Sequence, residues 1–127
     1  MRRLHSSKGA DLCERTFKFG VSITKMVRRL PRDVAGYEIG RQVLRSGTSV
    51  GANTEEADAA ESTDDFLHKL KIALKEAQET RFWLRNIRES ELCAGKEIDD
   101  LFQESDELVR ILNTIISNTI KKMNQGK

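Results

Sequence analysis

Scarcity narrows this sequence first. Two cysteines, Cys13 and Cys93, are too few for a disulfide framework. Two histidines, His5 and His68, cannot supply the paired Glu-x-x-His motifs of a dimetal bundle. The nearest approach, Asp65-x-x-His68, reads as a surface histidine on a helix. The longest uncharged run, Ile111 to Ile120, is ten residues, against about 20 for a membrane span. Arg2 and Arg3 resemble the start of a signal peptide, but Lys8, Asp11 and Glu14 arrive before any apolar core. Charge of one sign is also lacking. The 22 basic and 20 acidic residues leave a net +2, so bulk charge names no partner. The expectation is a cytoplasmic protein with no membrane association, folding as one domain over residues 1–127.

Proline, like tryptophan and tyrosine, occurs once, and the single Pro31 punctuates an apolar repeat. Leu12, Thr16, Phe19, Ile23, Met26 and Leu30 recur at spacings of 4, 3, 4, 3 and 4, one face of a helix. Asp11 with Glu14 makes a capping-box start, and the residue before proline disfavours helical backbone. A first helix is therefore predicted over about residues 11–30. A third is predicted over about 63–91. Ser62 or Thr63 starts it, and Phe66, Leu70, Ala73, Ala77, Thr80, Leu84 and Ile87 form its stripe. Gly95 reads as a stop or hinge. A fourth, over about 97–123, follows Ile98, Leu101, Ser105, Leu108, Leu112, Ile115 and Thr119.

The second helix, over about 36–61, is the least typical because it contains Gly36, Gly40, Gly47 and Gly51. Each interior glycine costs about 1 kcal/mol relative to alanine, so a loop over Ser46–Asn53 competes with a continuous helix. Gly40, Gly47 and Gly51 fall on one helical face, and such a row lets another backbone approach closely, as in membrane helix pairs. A continuous helix used in tight packing is the preferred reading. Four such helices with short connections predict an all-α, antiparallel up-and-down four-helix bundle.

Catalytic chemistry finds no residues to stand on. Neither cysteine has a histidine nearby in sequence or a recognisable local signature. Ser46-Gly47-Thr48-Ser49-Val50-Gly51 lacks the lysine of a phosphate-binding loop and follows no strand. Glu55, Glu56, Asp58 and Glu61 form an acidic cluster at the end of helix 2, more simply a solvated face than a metal site. No cofactor and no enzymatic activity are expected.

The basic residues are unevenly placed. Residues 1–30 carry eight Lys or Arg against two acids, whereas residues 91–127 carry five against seven. Arg15, Lys18, Lys25 and Arg29 share a face of helix 1. On helix 3, Arg81, Arg85 and Arg88 align at i, i+4 and i+7 beside Phe82 and Trp83. Such arginines can meet successive phosphates, and an aromatic ring can stack on a base. The competing reading makes them solvated faces or ion pairs inside the bundle. Ile72 and Trp83 lie off the core stripe of helix 3 and suggest a second contact surface, most simply another copy of the chain.

Longer motifs add a resemblance. Leu30-Pro31, the run Gly40-Arg41-Gln42-Val43-Leu44-Arg45-Ser46-Gly47-Thr48-Ser49-Val50-Gly51-Ala52-Asn53, Glu55-Glu56-Ala57, and the stretch from Asp65 to Leu84 form the pattern. They resemble the four-helix-bundle proteins encoded in intervening sequences of bacterial 23S ribosomal RNA genes. Arg15-Thr16 with Phe19 matches that family's first-helix motif, and Gly20 stands where the family more often has alanine. Accessory variability proteins of diversity-generating retroelements belong to the same family and resemble this chain around Arg81-Phe82-Trp83-Leu84-Arg85. The resemblance implies a homopentameric ring without catalytic residues or cofactor. It also implies RNA or DNA binding and, where one is encoded nearby, a reverse transcriptase partner. The runner-up is a purely structural or protein-binding oligomer, and a carboxylate metal site on helix 2 comes third.

Overall fold

The computed structural model describes residues 2–4 and 11–126. Four helices account for most of it: α1 (Leu12–Val27), α2 (Val34–Asp58), α3 (Thr63–Glu89) and α4 (Lys96–Gln125). No strand occurs among the described residues. His5 and Lys8 of the sequence reading lie outside them.

Local chemistry sets the boundaries. The Asp11 carboxylate caps α1 by accepting from the Cys13 and Glu14 amides. Ser62 caps α3 by accepting from the Asp65 amide at 3.0 Å, with Asp64 and Asp65 in the first turn. α1 stops at Val27, three residues short of the expected Leu30. The Arg29 amide turns to Met26 O and the Leu30 amide to Val27 O, so the chain tightens before Pro31. α2 begins earlier than Gly36, because Asp33 caps it by accepting from the Gly36 amide at 2.8 Å. Helix runs unbroken through Ser46–Asn53, which sets the loop reading aside. α4 starts after Gly95, whose φ of 96° favours glycine, and it has no side-chain cap.

The glycines of α2 make its continuity useful. A Cβ on Gly47 would lie 3.0 Å from Ile23, and one on Gly51 would lie 3.1 Å from the Thr16 carbonyl oxygen. The α2 backbone therefore rests directly on α1. Partner numbers fall on one helix as they rise on the other: Thr16 meets Gly51, Ile23 meets Gly47, and Val27 meets Gly40. The same order links Glu56 to Lys69 and Ser46 to Thr80 across α2 and α3, and Phe102 to Arg88 and Asp106 to Arg81 across α3 and α4. Each helix packs on its neighbour in sequence, and of the pairs that meet, α1 and α4 share the smallest contact.

Ile23, Met26, Val43, Val50, Leu70, Leu84, Ile87, Ile98, Leu108 and Leu112 are fully buried between these layers. Each large aliphatic contributes about 1.5–3 kcal/mol by leaving water. Two buried hydroxyls join α2 to α3, with Thr80 Oγ1 2.8 Å from Ser46 Oγ. Gly20 is a different case from the α2 glycines. A Cβ there meets nothing closer than Thr48 Cα at 3.6 Å, an ordinary contact. Gly20→Ala is therefore expected to stabilise the fold by about 1 kcal/mol through helix propensity. A thermal melt checks this, and a lowered midpoint would place α1 closer to α2 than described.

Candidate nucleic-acid interface

α3 presents four distinct sides, and only one is free for a polyanion. Its core side holds Phe66, Leu70, Ala73, Ala77, Thr80, Leu84 and Ile87, all buried. On the flank toward α2, Arg45 pairs with Glu79 at 2.7 Å and Lys69 with Glu56 at 2.9 Å. Trp83 is half-buried there and donates from Nε1 to Glu79 at 3.2 Å, with Ile72 half-buried along the same flank. Both off-core residues thus sit where the sequence places them, beside the core rather than within it.

The flank toward α4 takes two of the three helix 3 arginines. Arg81 pairs with Asp106 at 2.9 Å, and Asp106 also holds Arg110. The Arg88 guanidinium lies 4.4 Å from the centre of the Phe102 ring and bonds Glu89. Both side chains are about one-third exposed (34%). Only Arg85 of the three points to solvent without an ion pair among the described residues.

The helix 1 set is spent similarly. Arg15 forks onto Glu104 at 2.7 and 2.8 Å and reaches Glu107 at 3.0 Å. The fork raises the guanidinium's proton affinity, and hydrogen bonds from Gln103 and Arg15 hold the Glu107 carboxyl below its usual value. Arg29 pairs with Glu97, and Lys18 lies 3.9 Å from Glu14. Lys25 is exposed with no ion pair among the described residues. Arg15, Lys18 and Lys25, with Asp11 and Glu14, line one wall of an open groove, and Glu97, Asp100 and Glu104 of α4, with Lys96, line the other. Electrostatic ties close the seam where α1 and α4 pack least.

What remains is an outward stripe of which the sequence pattern marks only Arg85, with Phe82 beside it. His68, Lys71, Lys75, Gln78, Phe82 and Arg85 recur at 3, 4, 3, 4 and 3 on the outward side of α3, and all are exposed. Lys71, Lys75 and Arg85 have no ion pair among the described residues. Phe82 keeps 60% of its surface in water and stands edge-on to Trp83 at 4.9 Å. At 1.5 Å per residue the stripe runs about 25 Å. Three unneutralised cations and one exposed ring along a rigid rod suit a phosphate backbone and a base face. The signal was available, because these positions lie opposite the core stripe on the same helical wheel.

Other candidate chemistry is occupied. Burial pushes the Cys13 thiol up to about 11, with Asp58, Asp11 and Glu55 adding to the shift, so it stays protonated at neutral pH. Asp58 is buried, bonding Arg2 Nε at 3.1 Å and the Leu4 amide at 2.7 Å, while Glu56 holds Lys69. Among the described residues, no three His, Cys, Asp or Glu side chains gather as metal ligands, and no helix is long and apolar enough to cross a membrane.

The model of the 23S rRNA-intervening sequence protein family matches residues 8–114. The chain belongs to that family. A crystal structure of a protein of unknown function from the S23 ribosomal protein family of Bacteroides thetaiotaomicron is also similar, with 36% identity and a TM-score of 0.77. That match covers 83% of this chain and 97% of the other. No curated protein matches. The matched residues of the 23S rRNA-intervening sequence family include the Arg45–Asn53 run. In this member the run is the middle of α2, with Gly47 and Gly51 packed on α1.

Proposed function

We propose that this 23S rRNA-intervening sequence family member is a non-enzymatic homo-oligomeric bundle that binds RNA or DNA weakly and without sequence preference. The observation that carries the reading is the outward stripe of α3. Its Lys71, Lys75 and Arg85 are left unpaired among the described residues, while Arg15, Arg29, Arg81 and Arg88 have partners within the chain. The binding set is therefore Lys71, Lys75 and Arg85 with Phe82, and Lys25 of α1 is a further cation of the sequence-derived set with no ion pair among the described residues. The opposite running order of contacts on successive helices supports an antiparallel up-and-down bundle, one domain over residues 1–127. The proposed compartment is the cytoplasm, and the proposed scaffolded enzyme, where one is encoded nearby, is a reverse transcriptase.

Self-association into a five-fold ring is part of the proposal. Ile72 and Trp83 share their flank with Asn86 Oδ1 and Glu76 Oε2, buried acceptors with no hydrogen-bond partner among the described residues, Glu76 Oε2 having only the Arg45 guanidinium at 3.9 Å. Buried polar groups are almost always satisfied, so donors from a second copy fit there. A ring also needs a second, different patch. Phe17, 58% exposed, and Val21 supply one on α1.

Fluorescence anisotropy with a structured RNA and a DNA duplex at two salt concentrations tests the reading. Affinity should fall steeply as salt rises, because phosphate neutralisation releases counterions. Lys71→Gln, Lys75→Gln and Arg85→Gln together should weaken binding about tenfold or more and flatten the salt slope by about three. Light scattering on the same samples should give five chains before and after the changes. No wild-type binding at low salt would leave the structural oligomer as the function. A monomer at micromolar concentration would remove the ring.

A further inference from the structure

We propose that the end of the bundle where α1 and α3 begin and α4 finishes is a binding site for a free fatty acid. A cavity of about 800 Å³ opens there, inside the range of small-molecule sites. Its walls are apolar: Leu12 and Phe66 from the first turns of α1 and α3, Ile111, Ile115 and Met123 along α4, and Leu4. Ile111, Ile115 and Met123 are only half-buried against the core, so a ligand would cover apolar surface the fold leaves wet.

The polar lining decides the ligand class. It consists of Arg3, Arg15 and Lys122 with the neutral Thr63, Asn118 and Thr119, and it includes no carboxylate among the described residues. This contrasts with the groove between α1 and α4, where acids and bases face each other. Arg15 is committed to Glu104 and Glu107. Arg3 is held but not used up. Its amide donates to Asp58 O at 3.1 Å, its Nε donates to Ala60 O at 2.8 Å, and its guanidinium lies 5.8 Å from the Phe66 ring centre. Its two terminal nitrogens have no partner among the described residues. A fixed guanidinium in the lining of a largely apolar cavity, with Lys122 in the same lining, is complementary to a carboxylate on an alkyl chain. The chain would lie against Ile111, Ile115 and Met123 with its carboxylate on Arg3.

Titration of the full-length protein with dodecanoate below its micelle concentration tests the site. Calorimetry measures binding, and methyl NMR shifts of Ile111, Ile115 and Met123 report its location. Dodecanol and dodecyltrimethylammonium serve as comparators. The expected result is saturable micromolar binding of one dodecanoate per chain, with the cationic amphiphile bound about tenfold more weakly. Arg3→Gln should cost dodecanoate about tenfold and leave dodecanol unchanged. Ile115→Gln should weaken both ligands, with circular dichroism reporting the fold. The proposal is overturned by no saturable binding, by shifts centred outside the cavity, or by an acid-to-alcohol preference that survives Arg3→Gln. Methyl shifts that appear with protein concentration and block dodecanoate would assign the cavity to a second copy and also overturn it. None of these outcomes bears on the nucleic-acid reading, which rests on α3.

Discussion

Gly51→Leu is expected to lower the stability of the fold by about 3 kcal/mol, the upper end of the usual cost of overpacking. A Cβ alone at this position would stand 3.1 Å from Thr16 O, 3.2 Å from Thr16 C and 3.3 Å from Phe17 N. These are backbone atoms of α1 and cannot rotate aside as a flexible side chain would. Thr16 is fully buried, with its hydroxyl bonded to Leu12 O at 2.9 Å, so the α1 backbone is fixed from both sides. Leucine adds three further carbons at the same point. The two helices must separate there, and the buried Val50 and Ile23 lose contact together. Denaturant and thermal unfolding measure the effect, with Tm falling by about 10 °C for a chain of this size. A silent substitution would mean that α1 does not lie against Gly51, and the loop reading of Ser46–Asn53 would return.

That packing was legible before the structure because three glycines at helical spacing have few other uses. The apolar stripes of α1, α3 and α4 were legible for the same reason, since a 3.6-residue period fixes which side chains face inward. The positions of neighbouring helices around a given one were not. Arg81, Arg85 and Arg88 lie within one arc of α3 by spacing alone, yet α4 covers two of them and leaves the third in water. That division depends on where Asp106 and Phe102 come to rest, which no local pattern in α3 encodes. The segregation of charge between the first thirty residues and the last segment did carry the necessary hint. Cations of α1 and of the turn after it pair with acids of α4 across the seam, as Arg15 with Glu104 and Glu107, and Arg29 with Glu97. The competing reading, ion pairs inside the bundle, is the one that Arg15, Arg29 and Arg81 follow.

The turn between α1 and α2 was the least legible part, and it yields the second large effect. Gly36→Ala is expected to cost about 3 kcal/mol, although alanine is the better helix former. A Cβ on Gly36 would fall 1.9 Å from the Pro31 carbonyl oxygen and 2.9 Å from its carbon. Proline fixes its own φ, so the carbonyl has little freedom to swing away. The turn must move instead, and two attachments move with it. The Gly36 amide loses its 2.8 Å bond to Asp33, a cap worth about 1 kcal/mol. Leu30, only 7% exposed, is drawn from the core at about 2 kcal/mol. Asp33→Ala removes the cap alone and should cost about 1 kcal/mol, which separates the two contributions. Hydrogen exchange should quicken at the Leu30 and Gly36 amides in Gly36→Ala and remain slow at the centre of α3. If Gly36→Ala instead melts with the wild type, the Pro31 carbonyl does not close over α2, and the early start of that helix at Val34 loses its physical basis.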